Sequence, residues 1–237
     1  VVVLNNGAAV ATRAIEDSSR AIVEAWFLGS ASGQAIADIL FGKTNPSGKL
    51  SETFPIQIEH TPAHLNFPGI KDEVVYQEGV LTGYRHYDTR ELPVAYPFGH
   101  GLSYSTFNLT NLHVDDRYLT DGKIIVHVDI TNVCDRYGGE VVQLYLHDEE
   151  SYEVKAKKEL KRFMKVFLQP QETRTLTFTL EQRDFAYYCE PLHRFAVEEG
   201  KFSILIGTSS RDIRLRPVVV IPSNDLVRPP LTLDFPS

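Results

Sequence analysis

The sequence predicts two kinds of structure in one chain, α/β and then all-β: a partial α/β layer over residues 1–104, followed by an antiparallel β-sandwich over residues 105–237. Three observations carry this reading. Residues 1–54 alternate apolar runs of strand type with a helical segment, the pattern of α/β folds. Residues 55–104 hold Pro55, Pro62, Pro68, Pro93 and Pro97 and show little periodicity, which predicts long ordered loops packed on that layer. Beyond residue 105 apolar and polar residues alternate strictly between turn signals, as in an antiparallel sandwich. At 237 residues the chain is long enough for two cores.

Taken in order, Val1-Val2-Val3-Leu4 is an all-apolar run of the kind that forms a strand covered on both faces. It has no initiator Met, charged leader or small-residue cleavage site, so it does not read as a signal peptide. A central strand at the first residue predicts a chain cut from something longer. Ala21 to Phe27 reads as a second buried strand. Ser32 is placed to cap a helix over Gly33 to Phe41, with Ile36, Ile39 and Leu40 on one face and Gly42 as the stop. Asn45-Pro46-Ser47-Gly48 is a turn by composition, and Leu50 to Phe54 resumes as a strand. In the second part Ile124, Val126, Val128 and Ile130 face inward, opposite His127 and Asp129. The same alternation recurs in Val142, Leu144 and Leu146, in Leu176, Phe178 and Leu180, and in Phe202, Ile204 and Ile206. Asp121-Gly122 and Gly138-Gly139 are turn signals, and Pro229 to Phe235 reads either as an extended tail laid over a domain or as a disordered one.

Composition narrows the function. A formal net charge of -7 argues against a nucleic-acid partner, because a phosphate-binding surface needs clustered Lys and Arg. The one basic cluster, Lys155 to Arg162 interrupted by Glu159, reads as a solvated strand edge that deters sheet-to-sheet pairing. No apolar stretch approaches the roughly 20 residues needed to span a bilayer, so no membrane partner is expected. Cys134 and Cys189 read as free thiols with no CxxC spacing, and His60 and His64, four apart, sit beside Pro62 where a helix is not expected, so neither pattern marks a metal site. The eight histidines show no close pairing of metal-ligand type, so no metal or organic cofactor is expected. Asn108-Leu109-Thr110 matches the glycosylation triplet, which matters only in a secreted protein; compartment stays open.

The chemically suggestive stretch runs from Val75 to Asp88. Glu78 and Asp88, with Arg85 and His86 beside them, offer two carboxylates, and glycoside cleavage divides acid and nucleophile roles between such a pair. The alternative reading makes them ion pairs that order a loop-rich junction, and that reading is preferred. Gly29-Ser30-Ala31-Ser32-Gly33 is not a serine-hydrolase elbow, because its serines adjoin the glycines instead of sitting midway. Asn45 to Lys49 lacks the glycine spacing and following helix of a phosphate loop.

Ala25-Trp26-Phe27-Leu28-Gly29, Gly33-Gln34-Ala35-Ile36-Ala37-Asp38-Ile39-Leu40-Phe41-Gly42 and Asn45-Pro46-Ser47-Gly48-Lys49-Leu50 resemble glycoside hydrolase family three. So do Glu78-Gly79, Gly83-Tyr84-Arg85-His86-Tyr87-Asp88 and Pro97-Phe98-Gly99-His100-Gly101-Leu102-Ser103-Tyr104, in the same order. Val128 to Asn132, Glu140 to Tyr145 and Lys158 to Phe163 are similar to the fibronectin type III-like domain that often follows in such enzymes. Cys134 stands where a small residue is commoner. The resemblance implies a retaining β-glucosidase, acting on terminal β-D-glucosyl residues through a covalent glycosyl-enzyme. In that family the nucleophile is an aspartate on an N-terminal (β/α)8 barrel, and the acid/base is commonly a glutamate upstream of the strand that Val1 to Leu4 resembles. Neither position exists in this sequence, so no catalytic residue is carried over. The implied partners are therefore that barrel and the upstream α/β segment, with a small β-glucoside as substrate of the whole. The loop over residues 61–69 is expected to reach the rim of the site. The rivals are a β-xylosidase portion, pairing with a separate barrel subunit, and a carbohydrate- or protein-binding module without catalysis. Against the last, His127, Asp129 and Thr131 are polar, so that face offers no aromatic sugar platform.

Overall fold

A computed structural model describes residues 1–117, 121–151 and 153–222. Val2–Leu4 (β1) and Ile22–Glu24 (β2) pair in parallel, with Val2 opposite Ile22. Parallel strands need a crossover, and it contains the one-turn helix Arg13–Glu16 (α1). Both strands are only partly buried, so the described residues do not supply the two-sided cover expected of an all-apolar run. The second strand also ends before Phe27. Trp26 takes a φ of 51°, a left-handed value that a bulky residue rarely adopts and that ends extended pairing. Ala25 still donates to the Leu4 carbonyl, but Phe27 is left 78% exposed.

The predicted helix is present as Ser32–Leu40 (α2), with its start corrected. Ala35 N–H donates to the Ala31 carbonyl, so Ala31 holds the capping position without a capping side chain and Ser32 lies inside the helix. Gly42 ends it as expected, at a φ of 72° with its N–H on the Ile39 carbonyl. Asn45 to Gly48 forms no regular turn. The strand expected over Leu50 to Phe54 shrinks to Phe54–Pro55 (β3), while Leu50 exchanges backbone hydrogen bonds with the loop at Gly99 and His100. The loops that follow carry a 3₁₀ turn at Ile58–His60 and a cis Phe67-Pro68 bond. Two further elements complete this part: helix Tyr84–Thr89 (α3) and strand Val94–Tyr96 (β4), which pairs antiparallel with β3.

The sandwich is built from Phe107–Arg117 (β5), Lys123–Asn132 (β6), Gly138–Asp148 (β7), Glu159–Leu168 (β8) and Thr173–Glu181 (β9). Then come the hairpin Tyr187–Cys189 (β10) and Arg194–Ala196 (β11), Gly200–Gly207 (β12), Ile213–Leu215 (β13) and Val218–Ile221 (β14). One sheet has the order β5-β6-β9; the other runs β13-β12-β7-β8, with β14 also on β12. All thirteen inward residues named from the alternation lie in the core, none more than 5% exposed. Each side chain buried to this degree contributes about 1.5–3 kcal/mol, so this seam dominates the stability of the sandwich.

Two details of the sandwich differ from the sequence reading. Gly138 and Gly139 begin β7 instead of forming a turn, and close packing leaves no room for side chains at either position. A Cβ on Gly139 would stand 2.7 Å from the Phe167 ring, and one on Gly138 2.8 Å from Asn45 and Ser105. In β5 the register slips between Thr110 and His113, with Asn111 at a φ of 50°. That bulge turns Leu112 and Val114 toward the core and sets His113 directly opposite His127, a pairing that sequence spacing does not reveal. Cys134 and Cys189 are both free thiols. The tail from Pro229 to Phe235 lies outside the described residues.

Candidate functional site: the junction and the cleft above it

The suggestive stretch around Glu78 and Asp88 meets the sandwich, and helix α3 is the contact. Tyr84 stacks on Phe98 at 4.6 Å and stands edge-on to Tyr145 at 5.9 Å. Its hydroxyl accepts the Leu160 N–H at 2.7 Å, and burial pushes its pKa up. One turn along, the Asp88 side chain is 3% exposed, with Oδ1 on Arg211 Nε at 2.8 Å and Oδ2 3.3 Å from Lys158 Nζ. Arg211 also donates to the carbonyls of Tyr87 and Leu92, at 3.3 and 2.8 Å. Burial lowers the pKa of the Lys158 amine, while Asp88 opposes that shift. The run Lys155 to Arg162 is therefore not a free solvated edge. Lys155 pairs with Asp148 and Glu198, Lys157 with Glu91, Lys158 with Asp88, Lys161 with Glu159 and Arg162 with Asp184. Lys157 and Lys158 find their carboxylates across the junction, and the other three pair within the sandwich.

The other quoted motifs close the same joint. Asn45 donates to Ser105 Oγ and the Tyr137 carbonyl, both at 3.0 Å, and accepts from Ser103 Oγ and Tyr104 N–H. Lys49 reaches Glu140 at 2.7 Å and the Gly101 carbonyl at 2.7 Å, with both charged side chains nearly buried. Arg136 donates to the Gly42 carbonyl and lies over the Tyr104 ring. Gln143 donates to the carbonyls of Gly99 and Thr208, and Ser210 N–H to that of Phe98. The two glycines of Pro97 to Tyr104 are required here. Gly99 sits at a φ of 78°, and a Cβ on Gly101 would stand 2.1 Å from the Gly48 carbonyl oxygen.

Above α3 opens a cleft of about 480 Å³ lined by Glu52, Thr61, Pro62, Thr82, Arg85 and Tyr87 among others. Thr61 and Pro62 place the start of the 61–69 loop on it; Arg85 lies on its wall and 3.4 Å from Glu159. Asp88 does not line the cleft: it is turned into the junction. Glu78 is half-buried and acts on His86, whose ring donates to the His60 carbonyl. The structure thus gives these two carboxylates separate surroundings instead of flanking one space. The carboxylate that does line the cleft is Glu52, which accepts the Ala9 N–H at 3.1 Å; nothing in its local sequence marks it. Among the described residues no three His, Cys, Asp or Glu side chains are grouped to hold a metal ion.

Residues 1–104 match the family model for the glycosyl hydrolase family 3 C-terminal domain, and residues 140–210 that for the fibronectin type III-like domain. Residues 1–104 are thereby identified as a glycosyl hydrolase family 3 C-terminal domain. It is 48% identical over 235 residues to the thermostable beta-glucosidase B of Acetivibrio thermocellus, covering 99% of this chain and 31% of that protein. It is 39% identical to an exo-alpha-(1->6)-L-arabinopyranosidase of Bifidobacterium breve, over 97% of this chain and 30% of the other. The crystal structure of the Bifidobacterium adolescentis GH3 beta-glucosidase superposes with a TM-score of 0.89 at 40% identity, over 96% of this chain and 34% of that one. A Kluyveromyces marxianus beta-glucosidase in complex with glucose gives 0.87 at 39%, over 94% and 26%. The chain corresponds to the C-terminal part of these family three proteins and spans about a third of the length of the curated relatives it matches.

Proposed function

We propose that this chain is the supporting C-terminal portion of a retaining β-glucosidase, with the boundary between its two domains near residue 105. The nucleophile and the acid/base come from a barrel and an upstream α/β segment outside these 237 residues. One observation carries the reading: Asp88, the carboxylate of the most suggestive motif, is held between Arg211 and Lys158 inside the junction. A carboxylate bonded on both oxygens across the junction is turned away from the cleft in which a sugar would sit. A retaining pair also needs two carboxyls about 5–5.5 Å apart across the scissile bond, and Glu78 and Asp88 face different neighbours. What remains for the chain is positioning. Catalytic groups must be held within about 0.5 Å of productive geometry, and α3 joins the cleft wall at Arg85 to the sandwich at Asp88.

The glycone follows the relatives only coarsely, since one is named for glucosides and another for arabinopyranosides. The test is hydrolysis of chromogenic aryl β-glucosides, β-xylosides and α-L-arabinopyranosides by the purified chain. No turnover is expected with any of them. Turnover that disappears in Glu78→Gln, Asp88→Asn or Glu52→Gln would place the chemistry in this chain and overturn the proposal.

A further inference from the structure

The outer face of the three-stranded sheet carries a feature that the function proposed above does not use. His113 on β5 and His127 on β6 are direct cross-strand partners, their rings 6.2 Å apart and 18° from parallel. Side chains directly opposite in an antiparallel pair have Cβ atoms about 4.5–5.5 Å apart, close enough for two imidazoles to meet on one ion. The pairing depends on the β5 bulge. Leu109 points into the core, so unbroken alternation would send residue 113 inward; Asn111 in the left-handed region reverses the order and brings His113 outward. The His127 Nδ1 lies 3.0 Å from Thr177 Oγ1 on β9. With Nδ1–H donating to that hydroxyl, Nε2 keeps its lone pair, the arrangement that orients metal-binding histidines.

We propose that His113 and His127 form a surface site for a divalent transition-metal ion that prefers imidazole nitrogen, with copper(II) bound most tightly. His113 is exposed and His127 partly exposed, and metal–nitrogen bonds of about 2.0–2.1 Å need only rotation about their side-chain torsions. Asp115 and Asp129, two residues along each strand, add negative charge to the face. Their carboxylates are already held by Arg117 and by Thr175 and Asn111, so water completes the coordination. A two-nitrogen site with open positions follows the general affinity order in which copper(II) exceeds nickel(II) and zinc(II).

The site is tested on the untagged chain by calorimetric titration with copper(II) and nickel(II) and by the electron paramagnetic resonance of bound copper(II). One ion per chain with two coordinating nitrogens is expected. His113→Ala and His127→Ala each weaken copper(II) at least about tenfold and leave one nitrogen, and Thr177→Val weakens it by about tenfold by releasing the His127 ring. His64→Ala, an exposed loop histidine, changes nothing. No binding in the native chain, or copper(II) affinity in the His113 or His127 variant unchanged from that of the native chain, overturns the site.

Discussion

Asp88 shows how a residue legible in the sequence acquires its meaning from partners that are not. Its motif, Gly83 to Asp88, is plain to read, but Arg211 lies 123 positions away in the chain and Lys158 belongs to a run that looks solvated. Both cations reach it because α3 packs across the face of the five-stranded sheet that carries Tyr145 and Leu205, and no local spacing encodes that contact. Removing one member of a buried ion network leaves the others uncompensated, at a cost of about 3–5 kcal/mol. Asp88→Asn is therefore expected to lower the unfolding free energy by about that amount in urea titration. Arg211→Met in the same background is expected to recover part of the loss, by removing one of the stranded cations. A loss under about 1 kcal/mol for Asp88→Asn would show that the network is not a clasp.

Among the elements, the sandwich strands were readable and α3 was not, for a physical reason. Strands β6 and β9 bury every second side chain, and β7 and β12, though buried on both faces, keep aliphatic or Phe side chains at every second, core-facing position, so an apolar period of two survives in the sequence. Helix α3 buries Tyr84, His86, Tyr87 and Asp88, an aromatic and charged face that leaves no apolar period of 3.6. The β5 bulge hides in the same way, since one left-handed Asn111 shifts the whole alternation. The buried His86 makes the packing of α3 pH-dependent. Burial, and next the charge of Arg90, lower its pKa below the usual 6.5; the His60 carbonyl and Glu78 oppose this only in part. His100, half-buried beside Lys49, is displaced in the same direction, first by desolvation and then by the Lys49 charge. The unfolded chain thus takes up protons first, near pH 6.5, so stability rises with pH between the folded values and 6.5 and is lost as pH falls through that window. The melting temperature is expected to drop from pH 7 to pH 5, and His86→Gln to flatten part of that slope. The carboxylates held low, Asp129 by Thr175 and Glu149 by Ser203, act in a separate window below their ordinary range.

On the scale of the whole molecule, the two parts differ in how they meet solvent. The sandwich closes its own core, whereas residues 1–104 leave large apolar side chains outside, among them Phe41 at 89% and Leu65 at 86% exposure, on a layer whose parallel sheet has two strands. Contiguous exposed apolar surface marks a site of association, and the isolated chain is expected to self-associate in sedimentation. The family's length explains what that surface is for under the proposed function: a barrel and the remaining strands cover it. The most direct measurement mixes this chain with the N-terminal portion of a family three relative such as the Acetivibrio thermocellus enzyme, 48% identical across the shared region, and follows aryl β-glucoside hydrolysis. Activity in the mixture and in neither component alone, with loss of self-association, is the predicted result; hydrolysis by this chain alone, or an N-terminal portion whose activity is indifferent to it, would contradict the supporting role.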